Sequence, residues 1–534
     1  MFLKEKFNLK KYLPIVIFFF ALLFNQFSGN RGIFPIDSFS HFDIGYRVLN
    51  GDLPFRDYWV VSGPLIDLLQ AFFFLVFGTN WQTYLLNASI LNGVVAVLTY
   101  KLFLCFNLNW KISFFYAICF TILAYPVSGT PFVDLHATYF SIIAIYMTIF
   151  AIKTEKLMYW FFLPILLGFA FLSKQVPSVY IGFSLFLVII YDSVFNDRKK
   201  NLNILFNLIL STGIFLFLFL IFFFLNKINI QSFFDQYMNY PREIGNSRYS
   251  TLNYNIKNLV LDFKFTNIIF FTLIVINIFK FIKNKSYYKE INFKVFIIFL
   301  LLFLSLTQHQ ILTKNQEFIF FLIPLFLAFI HIELQNVKIK YNKYLIYFLL
   351  IICLLLTLKY HVRFNYEKKF HELNNVNFNN SIDGEILNKK FKGLNWITPG
   401  KKNQKEVVVE VKIIKEILDI LKKDKQNKML FTNYSFFSVL LEEKMNSPTR
   451  WFPGDDSAFP TKGSNFYNNY KNFLLNQIRI KEITNIYVIS DVHEENLLDY
   501  LSLKCFNKKK INNNLLKFEI NRNCKDLQKN KIIF

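Results

Sequence analysis

The chain lacks the features that mark several large functional classes. Its 534 residues hold five cysteines, too few for a disulfide scaffold. No Gly-rich nucleotide fingerprint occurs, and no spacing of His, Cys or acidic residues suggests a metal site. There is no internal repeat of the kind that gives many transporters their related halves. No small-residue cleavage site follows the basic and then apolar opening "MFLKEKFNLKKYLPIVIFFFALLF", so that run reads as a retained first helix rather than a signal peptide. Acidic residues are scarce too: 36 Asp and Glu stand against 60 Lys and Arg, a formal charge of +24.

Apolar surface is what the chain has in abundance. Hydrophobic residues make up 54% of it and phenylalanine alone numbers 69. They come in runs such as "ILFNLILSTGIFLFLFLIFFFL", long enough as helices to cross a hydrocarbon core of ~30 Å. About eleven spans are expected, near 12–28, 83–106, 111–127, 137–153, 157–173, 177–195, 203–226, 266–283, 293–308, 317–333 and 343–360. The positive charges flank these spans, where they set orientation and meet anionic lipid headgroups; this accounts for the basic balance better than nucleic-acid binding does. With the basic N-terminus cytoplasmic, alternation places "KTEK" (153–156), "NDRKK" (196–200), "KFIKNKSYYK" (280–289) and "KIKYNK" (338–343) on that same side.

The expected fold class is therefore a polytopic α-helical membrane protein, with a transmembrane domain over 1–360 and a small extracytoplasmic α/β domain over 361–534. In the latter, helical patterns at 406–423, 435–444 and 494–503 alternate with strands "KMLF" (428–431) and "NIYVIS" (485–490). Cys505 and Cys524 in this region are able to pair if it faces an oxidising compartment, whereas Cys105, Cys119 and Cys353 fall in apolar spans as packing residues.

The first outer loop, about 29–82, is unusually polar. It carries Asp37, Asp43, Asp52 and Asp57 with His41, Arg47 and Arg56. "PLIDLLQAFFFLVFG" (64–78) is short for a span and includes Asp67 and Gln70, so it reads as an interfacial helix. A second interfacial helix is expected before it, with Phe39, Phe42, Tyr46 and Leu49 as an apolar stripe toward lipid. Asp43 and Asp52 read as solvated or turn-forming. Asp37 suits either function or the N-cap of that helix.

Asp37, Asp57 twenty residues later within "GDLPFRDYW" (51–59), and then "GPL" (63–65) with an apolar helix, together resemble the first loop of the C-type membrane glycosyltransferases, in particular the group of protein O-mannosyltransferases and aminoarabinose transferases. The resemblance implies a catalytic base at Asp37 and a polyprenyl-phosphate sugar as donor. It also implies an acceptor hydroxyl at the outer face. Where relatives often carry a lysine before the proline that opens the second interfacial helix, this chain has Ser62 and Gly63.

Transfer from a lipid phosphate needs a base for the acceptor proton and cations or donors for the departing phosphate. Asp37 fits the first need. For the second, Lys174 and Gln175 form a tight "SKQ" turn between spans where topology does not require a lysine, and the resemblance favours them; Arg56 and, more weakly, Lys314 are further candidates. Asp134 and His136 stand at the mouth of a span, where ionisable groups are costly unless used; the resemblance makes Asp134 a second acidic site residue. Asp57 fits either a supporting role or an ion pair with Arg56 or Arg47. His136 and His309 read as satisfied interfacial histidines. The loop 447–460, "SPTRWFPGDDSAFP", fits an acceptor-facing segment and a rigid loop equally.

The reading is an enzyme of a bacterial inner membrane, without a cofactor and with no assigned metal, whose partners are the donor lipid, membrane lipids and a glycan, lipid or protein acceptor. Its rivals are a lipid-linked glycan flippase and a glycan polymerase or ligase. A flippase would be expected to place charges deep within its spans, and here the ionisable groups gather at one face.

Overall fold

The computed structural model describes residues 9–252, 254–313, 319–335, 342–369, 373–453, 457–521 and 524. Among these, nine helices from Lys10–Gly29 to Tyr344–Tyr366 are long and apolar enough to cross a membrane, and Leu157–Ser173 and Leu322–Gln335 are shorter apolar helices. Together they coincide with the expected spans. The protein is a polytopic helical membrane protein with a small sheet in its C-terminal region. Pro64–Phe77 has 14 residues, roughly 21 Å of helix and short of a ~30 Å hydrocarbon core. It opens with Pro64 after Gly63 (φ +68°) and stops at Gly78 (φ +82°), the residue types that favour a helix start and a helix end.

The chain forms two compact units. One comprises 1–30, 85–218 and 252–370, the other 31–84, 219–251 and 371–534. In the first, Val133–Thr154 is the most enclosed of the candidate spans. The enclosed helix packs on Leu157–Ser173, Gln175–Ser193 and Ile291–Thr313. Phenylalanines interlock elsewhere in this core, Phe299 and Phe106 both lying edge-on to Phe329. Ion pairs join neighbouring helices near their ends, Lys294 to Asp192, buried and 2.7 Å apart, and Lys280, partly exposed, to Glu333.

In the second unit, Lys428–Phe431 runs parallel to Asn485–Ile489, with Met429 beside Ile486 and Phe431 beside Val488. Leu515–Ile520 adds to Asn485–Ile489 antiparallel, and Phe506–Asn512 forms the edge. The two parallel strands are buried along their whole length, as the apolar runs that follow Lys428 and Asn485 require. Helix Gln404–Lys423 starts with a capping box of Asn403 and Glu406. The helices expected at 435–444 and 494–503 shorten to Phe437–Leu441 and Glu495–Leu498, while Tyr467–Ile480 is a helix that went unforeseen. Cys505 and Cys524 form a disulfide, their Cα atoms 4.9 Å apart.

Three expectations for the first loop change here. The expected interfacial helix divides into Pro35–Ser38 and Phe42–Leu49. Phe39 and Phe42 do not face lipid; they are fully buried against Trp81, Phe391, Trp396 and Phe436. An apolar stripe with aromatic partners from a distant part of the chain buries itself as well as one in lipid would. Nor are Asp43 and Asp52 solvated. Asp43 accepts hydrogen bonds from the Ser438 backbone N–H and hydroxyl, both at 2.7 Å. Asp52 is buried against Arg47, Lys444 and Lys481.

Candidate active site

Within the first unit, two helix starts and the end of Ile291–Thr313 bring three of the ionisable candidates to one point. Val133–Thr154 carries Asp134 in its first turn, where a helix N-terminus favours negative charge. Leu157–Ser173 ends and Gln175–Ser193 begins at Lys174, whose backbone is extended. The Lys174 ammonium donates to Oδ1 of Asp134 at 2.6 Å, and Nε2 of His309 lies 2.7 Å from the same oxygen. A carboxylate only accepts, so Nε2 is the protonated nitrogen of that ring. Asp134 and His309 are almost sealed, with side chains 3% and 0% exposed, while Lys174 is 21% exposed. The result is a buried carboxylate clamped between an imidazole and an ammonium that keeps part of its surface open. Among the described residues, Asp134 is the side-chain partner of Lys174.

His136, on the same helix, bonds instead to the Tyr125 hydroxyl and to Oδ1 of Asn87, the latter at 3.1 Å. It is a satisfied buried histidine. Gln175 opens its helix and is half-buried. His309 was the residue sequence reasoning undervalued: in "TQHQ" nothing indicates a partner more than 170 positions earlier. Lys314 lies outside the described residues.

In the second unit, Asp37 is half-buried in the short helix Pro35–Ser38. Phe34 caps that helix and His41 the next, so the capping role left open for Asp37 is filled by neither position it could take. Four residues on, His41 begins a sealed polar cluster. Its Nδ1 meets Oδ1 of Asp67 at 2.7 Å, and the Tyr58 hydroxyl donates to Oδ2 of Asp67 at 2.8 Å. Arg450 donates to the same carboxylate and to the Ser62 carbonyl. Burial raises the Asp67 carboxyl, but the Arg450 charge and the His41 bond outweigh it and leave Asp67 below the ordinary carboxylate range. Burial holds His41 below its usual value and pushes Tyr58 well above. Arg450 comes from the 447–460 loop, which here has a structural role; residues 454–456 of that loop lie outside the described set.

Arg56 and Asp57 form an ion pair at 2.7 Å. Arg56 further donates to the carbonyls of Gly51 and Asn226, each at 3.0 Å, and Asp57 accepts the Leu53 N–H at 2.8 Å. This pair organises the "GDLPFRDYW" turn, in which Phe55 takes a positive φ. Among the described residues no group of three or more His, Cys, Asp or Glu side chains is placed to hold a metal ion.

Many apolar spans, with polar residues gathered at helix ends and in one long loop, define a multi-pass membrane protein. Residues 61–222 match the family described as dolichyl-phosphate-mannose-protein mannosyltransferase. The match bears out the resemblance to the C-type membrane glycosyltransferases over that segment and supports a membrane glycosyltransferase. It includes Asp134, His136, Lys174 and Gln175; Asp37, Arg56 and Asp57 precede it. No curated protein matches the chain.

Proposed function

We propose that the protein transfers a sugar from a polyprenyl-phosphate donor to an acceptor hydroxyl at the outer face of a bacterial inner membrane, with its N-terminus cytoplasmic and residues 361–534 extracytoplasmic. The observation that carries this is the Asp134–Lys174–His309 cluster, whose first two members fall in the matched segment. In this reaction the acceptor oxygen attacks the anomeric carbon and the carbon–oxygen bond to phosphate breaks, inverting the configuration. Asp37 takes the acceptor proton. The phosphate leaves with the bonding electrons, and its growing charge is met by Lys174. Asp134 and His309 hold that ammonium in place, and their burial keeps their geometry fixed.

The test is label transfer in membranes containing the protein, using a panel of labelled polyprenyl-phosphate sugars and native acceptors. Wild-type protein is expected to label an acceptor. Asp37→Asn at matched expression is expected to lose ~10²–10⁴-fold in rate. Transfer undiminished in Asp37→Asn removes Asp37 as base; label that crosses the bilayer equally with both proteins makes this a carrier.

A further inference from the structure

A cavity of about 420 Å³ in the second unit, bordered by Gly51–Asp57 and by segments of the C-terminal region, has no part in the chemistry above. Four cations line it: Arg56, Lys428, Lys444 and Lys481. Two of them are matched. Arg56 pairs with Asp57, and Lys428 with Glu443 at 2.5 Å. Lys444 and Lys481 are left to share Asp52, which Arg47 already holds at 2.9 Å from behind. Lys444 reaches it at 3.1 Å, whereas the Lys481 ammonium stands 3.4 Å from both Asp52 Oδ2 and the Asp57 carbonyl. Three cations therefore converge on one carboxylate, and the cavity carries a surplus of positive charge along its wall.

We propose that this cavity binds a phosphate group, carried either by a saccharide or by a lipid head. The volume lies within the ~300–1,000 Å³ of small-molecule sites. Lysines serve phosphate as mobile point charges, and two surplus ammonium groups match a phosphate dianion. Lys481 shows the same need independently. Its side chain is 12% exposed, and burial together with the Arg47 charge brings its ammonium down to about 8, so a bound anion relieves a cation that is now poorly compensated. The site stands apart from sugar transfer and does not rest on it.

The experiment is calorimetric titration of the full chain in phosphatidylcholine nanodiscs with inorganic phosphate and with glucose 1-phosphate. It is repeated in nanodiscs containing phosphatidylglycerol. Saturable binding is expected, weakened at least tenfold by Lys444→Gln and further by Lys444→Gln/Lys481→Gln. Glu443→Gln, which removes a competing carboxylate, is expected to tighten it several-fold. Lys444 is half-exposed, so its substitution tests the site without disturbing the fold; unfolding temperatures of all variants provide the check. Tighter binding of glucose 1-phosphate than of phosphate assigns the site to a saccharide. Loss of either ligand only in phosphatidylglycerol nanodiscs assigns it to a lipid head. Absence of saturable binding in every disc, or binding indifferent to Lys444→Gln and Glu443→Gln alike, overturns the proposal. Because binding is read without any transfer reaction, failure here leaves the glycosyltransferase reading untouched.

Discussion

The two units use charge in opposite ways. In the first, most helices are apolar, and one carboxylate, Asp134, gathers a lysine at a helix start and a histidine near a helix end. That lysine is the member with surface still open. In the second unit, charged groups are numerous, and several of the buried ones tie distant segments together. Asp67 joins His41 and Tyr58 to Arg450, Asp43 is locked to Ser438, and Arg47 donates to the Ser447 carbonyl at 2.7 Å. A cation that keeps free surface can meet an incoming phosphate, whereas one as fully sealed as Arg450 organises its surroundings. Number of charges is therefore a poor guide to chemistry here, and residual exposure a better one.

This contrast can be broken most severely at Arg450. Arg450→Met leaves Asp67 buried and uncompensated, and the expected cost is ~3–5 kcal/mol, read as a lowered unfolding temperature of the purified protein. Combining it with Asp67→Asn should restore part of the loss, since the unpaired charge is then gone. If Arg450→Met unfolds like wild type, the cluster does not hold the loop.

On the other side of the comparison, Lys174→Met is expected to reduce sugar transfer ~10²–10³-fold with a smaller change in stability than Arg450→Met. Lys174→Arg should keep part of the rate. His309→Gln, which can still donate to Asp134, should fall between wild type and Lys174→Met. Rates and unfolding temperatures measured on the same preparations separate a charge used in chemistry from one used in folding.

Acid sharpens the contrast next. His41 titrates below its ordinary 6.5 in the folded protein because burial disfavours its charged form, so the unfolded chain binds the proton first as pH falls. His41 thus withdraws stability as pH drops below 6.5. Asp52 acts later: burial raises it, but Arg47, Lys481 and Lys444 bring it to about 2 from 3.8, so the stability it contributes is present above 3.8 and lost as pH falls toward 2. Unfolding temperature followed from pH 7 to 5 should decline less steeply in His41→Asn than in wild type. Identical slopes would mean that the His41 ring does not titrate in this window.

The smallest effect is expected at Arg56. Its side chain is 38% exposed, so Arg56→Gln should cost less than ~1 kcal/mol of stability. A loss of transfer comparable to that of Lys174→Met would restore Arg56 to the donor phosphate; an unchanged rate would leave it to the turn and the neighbouring cavity.

The membrane architecture was legible in the sequence because a helix crossing lipid must satisfy its backbone alone and show about twenty apolar residues in a row. Among the described residues each expected span falls on a helix over most of its length, including the short helices Leu157–Ser173 and Leu322–Gln335. The parallel strands 428–431 and 485–489 were visible for a related reason, being continuous apolar runs bounded by polar ones. Asp134 and Lys174 could be named individually, since ionisable residues at span ends stand out against apolar neighbours.

Their partnership could not be read, nor could the role of His309, because a hydrogen bond between residues 40 or 175 positions apart leaves no local pattern. The first loop shows the same limit more plainly. Composition said that Phe39 and Phe42 must leave water, and only the tertiary structure decided that Phe391, Trp396 and Phe436 would cover them in place of lipid. Asp43 and Asp52 looked solvated because most of their partners are distant in sequence; Ser438, Lys444 and Lys481 come from about 390 to 430 residues away. By itself the sequence determined which segments must avoid water, since that depends on each segment's own side chains. Which charges would be sealed and which left open was decided by long-range packing, since desolvation depends on everything that surrounds a group.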